Sequence, residues 1–286
     1  MLDPGGHDPG QLDVGRRLGP YRIEALIGTG GMGQVFRATR EPEGDSVALK
    51  VLKPQLALDA RAVRRFLHEA RAAAEVHHEH LVGVIDAGDA DGVPYLVMPL
   101  LSGRTVEQRI RADGPLSIED TNRMVAQVGA GLDALHEHDL VHRDIKASNI
   151  IFESDDCAAL MDFGLAKGSG YSALTTPGQV VGTLNYLAPE LIRGQSASAS
   201  SDLYALGCVV FECLCGHPPF AGKSLFEAGM AHLNQDPADP CAGRPEAPPG
   251  YGRAALAALA KDPATRPATA TAYAQLLSTA AQASAG

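Results

Sequence analysis

An α+β fold in two lobes is what this sequence predicts: a small antiparallel sheet with one helix, then a larger and mainly helical half. Three observations lead there. Short β-type runs dominate residues 21–98, and one stretch among them, 58–76, holds Ala, Arg, Leu and Glu at helical spacing. From residue 105 the character changes, and apolar residues recur at helical spacing almost to the end. At 286 residues and 45% hydrophobic content, the chain can build a core without oligomerising.

Taken in order, residues 1–15 read as a flexible leader. The first eleven are rich in Asp, Pro and Gly and have neither the basic start nor the apolar core of a secretion signal. Strands are expected at 21–27, 34–39, 46–52, 82–87 and 95–98. The helix at 58–76 contains no proline, and Asp59 can cap its exposed amides. Residues 16–98 form the first lobe and 99–279 the second, with 98–103 as a connector able to act as a hinge; ligand sites favour such junctions. Helices are expected at 105–112, 118–138, 200–215, 224–233, 253–261 and 269–281. The Pro- and Ala-rich stretch 237–249 is an irregular connection, and 280–286 a frayed tail. No internal repeat is present.

A net charge of -10 argues against broad binding of nucleic acid or anionic membrane, which needs a basic face. The longest apolar run, 203–214, is broken by Glu212 and falls short of the ~20 residues that cross a bilayer. No transmembrane segment is expected, and a cytoplasmic location follows. Cys157, Cys208, Cys213, Cys215 and Cys241 contain no C-x-x-C pair, so reduced, mostly buried thiols are expected rather than a zinc site or disulfide framework.

The chemistry sits in His142-Arg143-Asp144-Ile145-Lys146-Ala147-Ser148-Asn149, followed by Asp162-Phe163-Gly164. Asp144 offers a carboxylate to receive a proton from an attacking hydroxyl, and Lys146 a cation for a migrating phosphoryl group. Asn149 and Asp162 offer oxygens to a metal. Upstream, Ile27-Gly28-Thr29-Gly30-Gly31-Met32-Gly33-Gln34-Val35 contains G-x-G-x-x-G. Alone it could be an ordinary Gly-rich turn, a dinucleotide-binding turn from strand into helix, or a hairpin whose backbone closes over phosphates. The strand-like residues 34–39 that follow favour the hairpin.

Val47-Ala48-Leu49-Lys50 then ends an alternating strand in a lysine, one of six in the chain. By itself a strand lysine is a solvated charge. Pointing inward, Lys50 would meet α- and β-phosphates and would need an acidic partner to keep its charge. Glu69 is preferred over Glu75 for that role, because Phe66, Ala70 and Ala73 share its side of the helix, while Glu75 lies near the helix end.

These elements, in this order, resemble a protein kinase of the Hanks type over residues 18–277. Gly31-Met32-Gly33-Gln34-Val35-Phe36 and Tyr95-Leu96-Val97-Met98 are similar to the bacterial Ser/Thr branch. Gly182-Thr183 and Ala188-Pro189-Glu190 resemble the substrate-docking end of an activation segment. Asp202 with Gly207 resembles the start of the central helix of the second lobe, and Arg266 the arginine that pairs with the Glu190-type residue. The resemblance implies a bilobal protein kinase fold and an ATP-dependent serine/threonine kinase. Asp144 would be the base, Lys146, Lys50 and Glu69 would support the transfer, and Asn149 and Asp162 would hold Mg²⁺, for which Mn²⁺ could substitute. Ile27, Gly28, Thr29, Gly30, Gly31, Met32 and Gly33 would cover the nucleotide. Val35 and Ala48 would lie above adenine and Ile151 and Met161 below it, with Met98 as gatekeeper.

Pro99 replaces a frequent acidic residue but keeps the carbonyl the family uses, so the N–H would come from Leu101. Ala147 replaces a frequent proline. Thr183 would make a docking contact near Asp144 and Lys146. Arg143 implies recognition of a phosphorylated activation segment, with autophosphorylation at Thr175 or Thr176 and secondary sites at Ser169 and Ser172. Partners would be proteins with acceptor Ser/Thr hydroxyls; a homodimer suited to trans-autophosphorylation is a family habit that no pattern here decides. Two rivals differ in their requirements. A pseudokinase would be suggested by loss of Lys50, Asp144, Asn149 or Asp162, all of which are present. A small-molecule phosphotransferase generally lacks the Ala-Pro-Glu element.

Overall fold

The computed structural model describes residues 12–30, 33–154, 157–162 and 183–283. The chain divides into two units, Met1–Glu75 with Gly83–Leu101, and Val76–Val82 with Ser102–Gly286.

The first unit is built on six antiparallel strands: β1 (Arg17–Leu18), β2 (Tyr21–Thr29), β3 (Gly33–Arg40), β4 (Ser46–Leu52), β5 (Asp86–Ala90) and β6 (Val93–Pro99). Their spatial order is β1-β2-β3-β4-β6-β5. Period-2 alternation sends Tyr21, Ile23, Phe36, Ala38, Val47, Leu49, Val51, Tyr95 and Val97 to one face, where they form a core with Leu18. The Tyr21 and Tyr95 hydroxyls both donate to Asp86, at 2.8 and 3.3 Å, which fastens three strands at one point.

Two helices follow β4. The first, α1 (Pro54–Ala57), is a single turn started by a proline whose missing N–H costs nothing at that position. The second, α2 (Ala60–Ala74), is capped by the Asp59 carboxylate, which accepts from the Arg61 amide at 2.8 Å. It buries Ala62, Phe66, Ala70 and Ala73, a stripe at three- and four-residue spacing. Burying Phe66 alone contributes about 2 kcal/mol. The expectation of a single helix therefore missed the short α1.

The strand expected at 82–87 begins only at Asp86. Its register is set from the other end, where Asp91 and Gly92, with φ of 54° and 75°, form the turn of the β5–β6 hairpin. The Val82 amide is meanwhile taken by the Leu160 carbonyl at 2.9 Å.

In the second unit a small sheet joins β7 (Arg104–Thr105), β8 (Ile150–Ser154) and β9 (Cys157–Leu160) in that order, none of which the sequence reading anticipated. The helices are α3 (Val106–Asp113), α4 (Ile118–His136), α5 (Pro189–Ile192), α6 (Ala199–Cys215), α7 (Leu225–Asn234), α8 (Tyr251–Leu256) and α9 (Ala270–Gln282). Capping boxes at Thr105/Gln108, Ser198/Ser201 and Ser224/Glu227 start α3, α6 and α7. The helix expected at 253–261 starts earlier, at Tyr251, and tightens into a 3-10 turn over Ala257–Leu259.

Helix α6 is buried on nearly every side from Ser201 to Leu214, which explains its continuous apolar run. At Gly207 a Cβ would sit 2.9 Å from the Ala258 methyl, so glycine permits the close approach of the 257–259 turn. The Asp133 carboxylate accepts from the Ala270 and Thr271 amides at 2.9 and 2.8 Å, tying α4 to the start of α9. All five cysteines are free. Only Cys208 and Cys213 are fully buried, and the other three are half-buried, a less enclosed set than expected. Among the described residues no helix is long and apolar enough to cross a membrane.

Candidate active site

In the first unit the glycines connect strand to strand. Gly28 pairs with Val35 and Thr29 with Gln34, and the Gly30 amide donates to the Gly33 carbonyl at 2.8 Å. The strand-to-helix turn of a dinucleotide site is thereby excluded. A Cβ on Gly33 would lie 2.0 Å from the Val51 carbonyl oxygen, so β3 can approach β4 there only as glycine. Gly31 and Met32 fall outside the described residues.

Register then assembles the rest of the set. Val35 pairs with Lys50, Lys50 with Leu96, and Ala48 with Met98. Cross-strand partners share a face, so Val35, Ala48, Lys50, Leu96 and Met98 lie on the side of the sheet opposite Phe36, Leu49 and Val97. Pro99 ends β6 opposite Val47. Glu69 on α2 is half-buried, while Glu75 is exposed at its C-cap.

In the second unit the loop after α4 is organised by Asp202, far away in sequence, and by His136 at the end of α4. Asp202, in the first turn of α6 and 2% exposed, accepts from the His142 amide at 2.7 Å and the Arg143 amide at 2.8 Å. His136 Nε2, at the end of α4, lies 3.0 Å from the same carboxylate. Three partners therefore fix the backbone at the start of the loop. Arg143 sits there at φ 65°, a left-handed conformation costly for a non-glycine residue and held by those amide bonds.

His142 is buried, and desolvation holds its imidazole below the ordinary histidine range. A neutral ring has one donor and one acceptor. Nε2 lies 3.2 Å from the Met161 carbonyl, which can only accept, so Nε2 carries the proton. Nδ1 then accepts from the Asp144 amide at 3.3 Å. One buried ring thus connects the backbone at Asp144 with the residue before Asp162.

The side chains converge on one oxygen. Lys146 Nζ lies 3.0 Å from Asp144 Oδ2, and Asn149 Nδ2 donates to Asp144 Oδ2 at 3.1 Å and to the Asp144 carbonyl at 2.8 Å. Asn149, 5% exposed, spends its NH₂ on Asp144, and its Oδ1 makes no hydrogen bond among the described residues. Asp162, half-buried at φ 61°, follows Met161, whose amide donates to the Asn149 carbonyl at 2.9 Å.

Among the described residues no three His, Cys, Asp or Glu side chains gather around a metal position. The donors on offer are an amide oxygen and a carboxylate. That set suits a hard cation such as Mg²⁺, which keeps water and phosphate oxygens as its other ligands. Ile151, buried on β8, and Met161 belong to this unit. Phe163, Gly164, Ser169, Ser172, Thr175, Thr176 and Gly182 lie outside the described residues. Thr183 opens a 3-10 turn that runs to Tyr186.

Beyond the loop, Arg266 and Glu190 form a buried bidentate pair, with NH1 to Oε1 at 2.7 Å and NH2 to Oε2 at 2.8 Å. The Tyr186 hydroxyl donates to Glu212 of α6. Glu212 is 7% exposed, and desolvation pushes its carboxyl up from 4.5 to about 7. Below pH ~4.5 both folded and unfolded carboxyls are protonated and burial is not penalised; as pH rises through about 7 the folded group must ionise, and that stability is lost. Relative to the parent, Glu212→Gln is expected to gain up to about 3 kcal/mol of stability as pH rises from about 5 to 8. Urea unfolding at several pH values reads this directly. Parallel pH profiles for the two proteins would count against it.

Three site features escape sequence spacing: His136, the reach of Asp202 to the loop amides, and the Tyr186–Glu212 contact. The third had a visible signal, a lone glutamate interrupting an apolar run. The others join residues 59 to 66 positions apart.

The protein kinase domain family matches residues 21–275. Serine/threonine-protein kinase PknE of Mycobacterium bovis is 39% identical over 252 residues, covering 88% of this chain and 44% of that protein. Serine/threonine-protein kinase pkn3 of Myxococcus xanthus is 39% identical over 264 residues, covering 88% and 48%. The chain thus spans less than half the length of these relatives. The crystal structure of the Mycobacterium tuberculosis PknI kinase domain matches with a TM-score of 0.75 at 27% identity, covering 95% of this chain and 100% of that one. Since that family model spans residues 21–275, a stretch that holds the glycine hairpin, the strand lysine and the Asp144–Lys146–Asn149 cluster, the chain belongs to the protein kinase family, on its bacterial serine/threonine branch.

Proposed function

We propose that this chain transfers the γ-phosphoryl group of ATP to serine and threonine hydroxyls of proteins. The observation that carries the reading is the convergence of Lys146 and Asn149 on Asp144 Oδ2, in a loop whose backbone is fastened by Asp202. A carboxylate so oriented can accept the proton of an acceptor hydroxyl as its oxygen attacks phosphorus. The ammonium beside it is placed to balance charge on the phosphoryl oxygens.

Asn149 Oδ1 and Asp162 would hold the divalent cation, which neutralises phosphate charge when bound. In the first unit, Lys50, paired with Glu69, would take the α- and β-phosphates, and residues 27–33 would cover them. Val35, Ala48, Met98, Pro99 and Leu101 would contact adenine. Because the transition state is loose, rate comes mainly from positioning and fixed charge, which the amide bonds on Asp202 supply in advance.

The reading is tested with purified chain, γ-labelled ATP, Mg²⁺ and a mixed Ser/Thr peptide library. Labelling of Ser/Thr peptides that disappears in Asp144→Asn supports it. Label transferred only to small molecules, or none at all, overturns it.

Activation by autophosphorylation belongs to the same proposal, with Thr175 or Thr176 as acceptors and Arg143 as the side chain that binds the phosphate. Mass spectrometry after incubation with ATP is expected to find phosphate between residues 169 and 176 in the active enzyme and none in Asp144→Asn. An active enzyme without phosphate there would refute it.

A further inference from the structure

Helix α2 has a second face. Its buried stripe uses Ala62, Phe66, Ala70 and Ala73, and the opposite side carries Arg61, Arg64, His68 and Arg71, all exposed. These four sit at i, i+3, i+7 and i+10, a single row about 15 Å long. Half-buried Arg65 flanks it. Among the described residues none of the four side chains makes a hydrogen bond or ion pair. The helix carries one acid, half-buried Glu69, and acids stand at both caps, Asp59 and Glu75.

The fold does not ask for this arrangement. Arg61 and Arg64 lie in the first turn or just past it, where the positive end of the helix dipole disfavours cations by roughly 0.3–1 kcal/mol each. Like charges at i,i+3 and i,i+4, as in Arg61–Arg64 and Arg61–Arg65, cost a few tenths of a kcal/mol more. Glutamate or glutamine would solvate the face equally well, and glutamate would favour the dipole. Yet a chain of net charge -10 concentrates arginines here.

We propose that this face of α2 docks an acidic peptide segment of a partner protein. Guanidinium groups favour bidentate carboxylate or phosphate contacts, and a 15 Å row matches about five residues of extended chain. Leu58, 88% exposed just before the N-cap, supplies an apolar contact at one end of the row. A row of four cations is narrower than the broad basic face that a membrane or a nucleic acid needs, and the helix exposes no Phe, Tyr or Trp to stack on bases, since Phe66 is 2% exposed. The inference stands on α2 alone and does not depend on the reaction proposed above.

The test uses the full chain and a fluorescein-labelled peptide of four glutamates followed by leucine, read by anisotropy. Saturable binding is expected, weakening about tenfold between about 50 and 300 mM salt. Arg61→Glu/Arg64→Glu/Arg71→Glu should weaken it at least about tenfold, whereas reversal at three exposed arginines elsewhere, Arg111→Glu/Arg193→Glu/Arg253→Glu, should leave it within about twofold. Thermal melting keeps the test honest about folding: the α2 variant should melt no lower than the parent, because its dipole and like-charge repulsions are relieved. Equal losses in both variants, unchanged binding in the α2 variant, or a lowered melting temperature would overturn the proposal. So would phosphatidylserine vesicles or single-stranded DNA displacing the peptide at lower concentration than unlabelled peptide does.

Discussion

Asp144→Asn is expected to lower turnover by about 10²–10⁴-fold, the range for loss of a positioned general base, while leaving the KM for ATP within about threefold. The amide is nearly isosteric and can still meet Lys146 and Asn149, which now approach Oδ2 at 3.0 and 3.1 Å. Geometry therefore survives while proton acceptance is lost. Steady-state kinetics on one acceptor peptide separates the two effects, because nucleotide contacts assigned to the first unit are untouched. A rise in the KM for ATP with unchanged kcat would show instead that Asp144 serves binding rather than transfer.

Arg266→Met is expected to cost about 3–5 kcal/mol of stability, because it leaves the Glu190 carboxylate buried without its partner. Arg266 is more than one salt bridge. Its Nε donates to the Ala260 carbonyl at 2.9 Å, its NH1 to the Ser200 carbonyl at 2.7 Å, and its guanidinium lies 4.9 Å from the centre of the Tyr204 ring. One side chain thus holds α5, the start of α6 and the turn before α9. Melting should fall by roughly 10 °C on the usual scale for a unit of this size. The double variant Glu190→Leu/Arg266→Met should recover part of that loss, since no buried charge then stands alone. If the double variant is as unstable as the sum of the singles, the pair is not the source of the cost.

Much of the fold was legible because its signals are local. The β2–β4 alternation, the Asp59 cap, the apolar periodicity of α4 and α9 and the continuous apolar run of α6 each occupy one continuous window. The β7–β8–β9 sheet was not, since strands of 2 to 5 residues are too short for a period to emerge. The strand expected at 82–87 failed for a related reason: its apolar residues answered to Leu160 and the Asp91-Gly92 turn rather than to each other.

At the site, residue types at fixed spacing pointed to Asp144, Lys146 and Asn149. The support beneath them was hidden, because a carboxylate at Asp202 gives no sign in sequence of which amides it will meet. Whether Glu69 faces inward could be argued from Phe66, Ala70 and Ala73, since a helix fixes its own faces without help from the rest of the chain.

The tie between Asp133 and the first amides of α9 has a consequence for synthesis. Chains emerge from the ribosome in order, at about 5–20 residues per second, and domains fold as units. Tyr273 and Leu277, both fully buried, and the Asp133 carboxylate find their partners only after residues 270–277 have emerged. The Glu190 carboxylate likewise waits for Arg266. Until those residues emerge, the helical unit lacks these ties.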